Sequence, residues 1–192
     1  MNTLATNKKD WLAWLLTGLI VIGMMFMLES QGRIWICACG TVKLWVNDVW
    51  GAENSQQLFD AYSFSHLLHG VLFMGLLYGL SSRLSFSWRL ALATLIEAGW
   101  ELLENSEIIL SRYRETAAQG YNGDSIINSF GDLVSCGIGF AIAYYLGLKR
   151  SIILFLLVEV VMIWWIKDSL LLNVIMLIYP LEFIKEWQMS LL

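Results

Sequence analysis

The sequence predicts an all-α integral membrane bundle of about six transmembrane helices, and three observations carry that prediction. Of 192 residues, 58% are hydrophobic and 15% charged, against about 45–50% apolar and about 25% charged in soluble domains. Mean hydropathy is +0.63. Apolar runs of bilayer length recur along the chain, about 20 residues being needed to cross a hydrocarbon core. The same composition excludes a disordered chain, a disulfide scaffold and a nucleic-acid binder, since Lys and Arg number 12 against 16 acids and never run beyond two together.

The first run, residues 11–28, follows Asn7-Lys8-Lys9-Asp10 and leads into Glu29-Ser30-Gln31-Gly32-Arg33. It is longer than the apolar centre of a signal peptide and lacks a small-residue cleavage site, so it reads as a retained anchor. Further spans are expected at 64–80, 88–110, 125–148, 151–166 and 170–184, the last containing Pro180. The whole chain, 1–192, is one membrane domain. With the N-terminus in the cytoplasm, the inner side holds Lys8, Lys9, Arg83, Arg89, Lys149, Arg150 and Lys185, and the outer side Arg33, Lys43, Arg112, Arg114 and Lys167. The excess of positive charge inside favours that orientation. The long connection 29–63 carries Trp35, Trp45, Trp50, Phe59 and Tyr62, amphipathic rings suited to an interface, and is expected to lie against the outer surface.

Charged side chains inside a span are costly and need a partner or a function. In the third span Glu97, Glu101 and Glu104 share one helical stripe with Trp100 and Ser111, and Glu107 follows. In the fourth, Asp124, Asn128 and Asp132 are spaced i, i+4, i+8. The second opens with Ser65-His66-Leu67-Leu68-His69-Gly70, which holds the two histidines of the chain on one face. In the inferred topology all three stripes lie in the outer half and can line one pocket. So many carboxylates cannot ionise together at low dielectric without compensation. A divalent cation such as zinc compensates them, with His66, His69, Glu101 and Asp132 as ligand candidates. Glu104 and Asp124 are then general-base candidates, Asn105 and Asn128 orienting donors, and Arg112 and Arg114 anchors for an anionic head group. The partners implied are the lipid bilayer and a lipid or lipid-linked substrate. No Gly-rich phosphate loop or dinucleotide fingerprint points to a nucleotide. Two further readings stand beside this one. The polar residues can form a structural seam that fixes helix register in a non-enzymatic assembly protein. An ion pathway fits poorly, because Leu72–Leu80 and Ile138–Leu148 offer almost no ionisable groups.

Cys37-Ala38-Cys39-Gly40 reads as a disulfide, a soft metal site or a redox pair, and Cys136 as a packing residue. Gly75-x-x-x-Gly79 and the ridge Ser135, Gly139, Ala143 and Gly147 suit close helix approach.

Taken in order, Cys37-Ala38-Cys39-Gly40-Thr41-Val42-Lys43-Leu44-Trp45, Glu53-Asn54-Ser55-Gln56-Gln57, Asp60-Ala61-Tyr62, Ser65-His66-Leu67-Leu68-His69-Gly70, Glu97 to Ser106, Arg112-Tyr113-Arg114 and Gly123-Asp124-Ser125-Ile126-Ile127-Asn128-Ser129 resemble an uncharacterised bacterial family. Its members are small multi-pass inner-membrane proteins with a domain of unknown function, and the likeness covers roughly residues 30–147. The resemblance implies inner-membrane location and brings no activity. The family pattern has a His where Gln57 stands and a Trp where Ala61 stands. A fainter likeness, of chemistry alone, is to membrane hydrolases of the alkaline-ceramidase type, which use Ser, His and Asp around zinc. Ser65, His69 and Asp132 echo that set, and the paired histidines of its later spans are missing here.

Overall fold

A computed structural model describes residues 10–118 and 120–190; Lys8 and Lys9, counted above for orientation, lie outside them. Long apolar sequence yields helix wherever no Pro or polar cap interrupts it. The helices are α1 (Asp10–Ser30), α2 (Ser63–Leu76) with a 3₁₀ turn at Leu77–Leu80, α3 (Phe86–Glu104), α4 (Glu107–Glu115), α5 (Ile126–Leu146), α6 (Leu148–Ile166), α7 (Leu170–Ile178) and α8 (Glu182–Met189). Among the described residues there is no strand, only an isolated bridge between Trp45 and Phe59. The class is all-α.

Among the described residues, three helical segments are long and apolar enough to cross a membrane: Asp10–Ser30, Ser63–Leu80 and Ile126–Leu146. α3 and α6 are each 19 residues, about 28 Å at 1.5 Å per residue. Their hydropathy is lowered by Arg89, Glu97, Glu101 and Glu104 in the first and by Lys149, Arg150 and Glu159 in the second. The outward faces of α1 and α6 are bare apolar surface, with Trp11, Leu15, Leu19 and Phe26 exposed on one and Ile153, Leu157, Val160 and Trp164 on the other.

Two expected spans are broken. The run 88–110 divides at Asn105, whose Nδ2 donates to the Glu101 carbonyl at 3.0 Å while its Oδ1 accepts from the Asp124 amide at 2.7 Å. The asparagine thereby takes over helix-end hydrogen bonding, and Ser106 turns extended. The run 170–184 is two short helices, because Pro180 has no N–H and forces Tyr179 into the extended region, φ −147°. α7, at nine residues, spans about 14 Å, half a bilayer core.

Packing centres on α2 against α5, with α1 on α3 beside them. The two central helices meet backbone to backbone. A Cβ added at Gly70 would lie 1.9 Å from the Cys136 carbonyl oxygen, and one at Gly139 would lie 1.9 Å from that of Leu67. Gly139 thus belongs to a close approach, as its ridge suggests, but its counterpart is Gly70. An added Cβ at Gly75 or Gly79 meets nothing within 4 Å. Around this contact Val71, Met74, Ala93, Phe140 and Ala143 form a buried apolar cluster. At the other end of α1, Asp10 accepts from Ser85 and Ser87 at 2.6 and 2.7 Å, tying the starts of α1 and α3 together.

The connection 31–62 is an ordered cap. It satisfies the orphan N–H groups at the start of α5: Ser125, Ile126 and Ile127 donate to the carbonyls of Ser55, Ile34 and Trp35 at 2.9, 2.8 and 3.1 Å. Trp45 stacks on Trp165 of α6 with ring centroids 6.1 Å apart. Since the cap sits on the starts of α2 and α5 and the end of α3, all three polar stripes open at one end of the bundle, as expected.

Gly70→Val or Gly139→Val is expected to force the central helices apart and destabilise the protein by about 3 kcal/mol or more, whereas Gly75→Ala should be neutral. Thermal unfolding of the detergent-solubilised chain checks this, and equal losses at all three positions would contradict the packing described.

Candidate functional site

The glycine contact sets the rotation of α2 against α5, and one turn from it the polar residues converge. His66 Nδ1 lies 2.7 Å from Glu97 Oε1, and His69 Nδ1 lies 3.0 Å from both Glu97 oxygens. Glu97 is wholly buried. As a carboxylate it is an acceptor, so both histidines donate from Nδ1, and in the neutral form of each ring the lone pair is on Nε2. That arrangement orients imidazoles for metal ligation. His66 Nε2 faces Asp132, 3.9 Å from Oδ2. His69 is braced by Trp100 and Phe73, with ring centroids at 6.0 and 5.9 Å.

The remaining buried carboxylates differ in how well they are compensated. Asp60 accepts from the amides of Ser55 and Tyr62, each at 2.8 Å; burial pushes its carboxyl up and those two amides draw it back. Asp124 accepts from Tyr121 at 2.7 Å and Asn105 at 2.9 Å. Asp132 accepts from Ser63 at 3.0 Å, and Glu104 from Tyr113 at 2.8 Å through Oε1. Burial first, then the charges of Glu104 beside Tyr113 and Asp124 beside Tyr121, push both phenols well above their ordinary range, so both stay donors. Glu101 has nothing comparable. It is 0% exposed and neither oxygen has a hydrogen-bond partner, nor does Glu104 Oε2. The His66 Nδ1 that passes 3.3 Å from Glu101 is closer to Glu97.

Among the described residues four groups have ligand atoms within 4.8 Å of one another: Cys37, Cys39 and Glu53 in the cap, and in the helices His66, His69 and Glu97; His66, Glu101 and Asp132; and Glu101, Glu104 and Asp124. All four ligand candidates read from sequence are therefore brought together, with Glu104 and Asp124 beside them. The groups open on a cavity of about 900 Å³ under the cap, lined by His66, His69, Glu104, Asp124 and Asp132 among others.

The four candidate substrate-binding residues are placed differently. Asn128 lines the cavity but gives its Nδ2 to the Gln57 carbonyl at 2.8 Å, and Asn105 holds the α3 end as described. Arg112 donates to the Leu177 and Ile178 carbonyls at the end of α7 and pairs with Glu115. Arg114 donates to Glu107 at 2.8 Å and to the Tyr121 carbonyl at 3.2 Å. Neither lines the cavity. The arginine that does is Arg33, held by its Nε on the Asp124 carbonyl at 3.0 Å and accommodated because Gly123, φ +86°, has no Cβ to strike its guanidinium.

Sequence reasoning assigned no role to Glu97, Tyr113, Tyr121, Ser63 or Arg33. The stripe periodicity already placed Glu97 with Glu101; the others come from connections or helix ends, where no periodicity speaks. Ser65, likened to a hydrolase serine, sets its Oγ 3.9 Å from Met162 Sδ. Ser63 is the serine on Asp132. Cys37 and Cys39 form a disulfide in the cavity wall, beside Gln57, which donates to Glu53 at 2.8 Å and accepts from the Lys43 amide at 2.6 Å. Lys43, and then Gln57, hold the Glu53 carboxyl below its usual value.

The model of the family described as "Protein of unknown function (DUF2585)" matches residues 28–190. The chain is 44% identical to a UPF0314 protein of Brucella anthropi over the whole of both chains. It is 42% identical to one of Paracoccus denitrificans and 45% to one of Rhizobium etli, each over 91% of both chains. No solved structure matches. The chain belongs to this uncharacterised bacterial family, the kind of family its motifs resemble.

At the cavity edge, Asp168 accepts from the Ser169 amide at 2.8 Å and from Tyr62 at 3.3 Å. Burial, with Glu159 adding like charge, pushes its carboxyl up from 3.8 to about 6. A raised carboxyl binds its proton more tightly in the folded chain, so its stabilisation is complete below pH 3.8 and is lost as pH rises through about 6, about 3 kcal/mol in all. The stability of wild type relative to Asp168→Asn is therefore expected to fall across that window in detergent unfolding experiments. A pH-independent difference would refute the assignment.

Proposed function

Starting from a family that brings no activity with it, we propose that this protein is a multi-pass protein of the bacterial inner membrane, N-terminus in the cytoplasm. Its capped pocket, in the outer half of the bilayer, holds a divalent cation and hydrolyses or transfers a lipid or lipid-linked group. The observation that carries the reading is Glu101: a fully buried carboxylate with neither oxygen hydrogen-bonded, and with only the His66 Nδ1, 3.3 Å from Oε1 and closer to Glu97, as a charge partner. Such a group costs several kcal/mol unless a positive charge compensates it. The exposed apolar faces of α1 and α6 support the membrane setting.

His66, Glu101 and Asp132 hold the cation, and His69 stands beside it with Nε2 available. Glu97 keeps both imidazoles in the ligating tautomer. A cation here supplies charge that acidifies water and polarises a carbonyl or phosphoryl oxygen. Glu104 and Asp124 supply the basic groups beside it, and Arg33 receives an anionic group of the substrate. The cavity, at about 900 Å³, has room for a head group and the first part of its chain.

A structural seam remains the rival, favoured by the complete pairing of Glu97 and Asp60. Metal mass spectrometry of detergent-purified protein separates the two. Wild type is expected to carry at least about one equivalent of divalent metal, and His66→Ala/His69→Ala and Glu101→Gln to lose about one. A folded wild type without metal, and variants that lose only folded yield, would overturn the enzyme reading in favour of the seam.

A further inference from the structure

The pairing of the buried carboxylates leaves a remainder larger than one cation explains. Glu97 is balanced by two imidazoles and Asp60 by two amides, and Asp132 accepts from Ser63. Neither oxygen of Glu101 has a hydrogen-bond partner, Oε1 lying 3.3 Å from the His66 Nδ1 that bonds Glu97, nor does Oε2 of Glu104, and these residues are 0% and 8% exposed. A cation held by His66, Glu101 and Asp132 leaves the free oxygen of Glu104 buried and unpartnered. Glu101 is also the member common to two groups, one with His66 and Asp132 and one with Glu104 and Asp124, the ligand atoms of each lying within 4.8 Å of one another.

We propose that Glu101 bridges two divalent cations, the first held with His66 and Asp132 and the second with Glu104 and Asp124. The proposal rests on the metal-site reading above and narrows it: Glu104 and Asp124 act as ligands rather than as free bases. Tyr113 on one oxygen of Glu104, and Tyr121 and Asn105 on one oxygen each of Asp124, are the groups that orient the second set; Glu104 ligates through its other oxygen and Asp124 through a second lone pair. Both oxygens of Glu101 are then used, and so is the free one of Glu104. Paired cations about 3.5–4 Å apart suit in-line displacement at a phosphoryl centre, so the substrate class is a phosphate ester or phosphoanhydride of a lipid. Arg33, anchored on the Asp124 carbonyl, stands on the side of the second cation.

The test is titration of metal-stripped, detergent-purified full chain with Mn²⁺, followed by equilibrium binding and electron paramagnetic resonance. Wild type is expected to bind about two equivalents with an exchange-coupled signal, Glu104→Gln about one with an uncoupled six-line signal, and Glu107→Gln, which removes an exposed carboxylate outside the cavity, still two. A wild type that saturates at one uncoupled ion, lost on His66→Ala/His69→Ala, would overturn the bridge and leave the single-cation reading standing. No binding by folded wild type would overturn both. Should Glu104→Gln fail to fold, the wild-type stoichiometry and coupling decide alone.

Discussion

The contact of α2 with α5 through Gly70 and Gly139 is the constraint on which the site depends. At 1.9 Å from a would-be Cβ to a carbonyl oxygen, no other residue fits without the helices separating. The close approach leaves little freedom of rotation, and that sets the residues one turn away. Asp132 faces His66 because it lies a turn before Cys136, the residue against Gly70. The same logic extends to Gly131, whose absent Cβ admits the Leu58 carbonyl at 1.9 Å and so seats the cap on α5.

With the helices placed, electrostatics arranges the rest. Six carboxylates, Asp60, Glu97, Glu101, Glu104, Asp124 and Asp132, are buried near one another. Each must be paired, protonated or neutralised, because desolvated like charges are mutually costly. Imidazoles, amides, phenols and a serine answer for most of them. The pattern is graded: it is complete at Glu97 and Asp60 and incomplete at Glu101 and Glu104, the carboxylates on which the proposed chemistry turns. Buried groups held without partners are where folding gives way to function.

The cap is as much a part of the site as the helices. Its carbonyls finish the start of α5, its Arg33 reaches the cavity, its disulfide forms part of the wall, and Tyr62 and Asp168 close the edge toward α6 and α7. Its aromatic residues, expected at an interface, are used in packing as well: Trp45 stacks on Trp165, and Trp35 meets Phe26 edge to face and donates to Glu29.

Helical class, the apolar runs and the three polar stripes were legible in the linear chain, because helix periodicity and hydropathy are properties of neighbouring residues. That is why His66, His69, Glu101 and Asp132 could be named together before any coordinates. Which member of a stripe orients and which ligates was not legible. Glu97 and Glu101 look alike in sequence, and differ only because two imidazoles turn toward the first. Pro180 marks its break locally, but the chain could not say that Asn105 would end a helix inside an apolar run, or that Arg33 rather than Arg112 and Arg114 lines the cavity. Those outcomes depend on groups 19 to 91 residues apart meeting at hydrogen-bond distance, which helix rotation and a backbone contact at two glycines determine and local pattern does not encode.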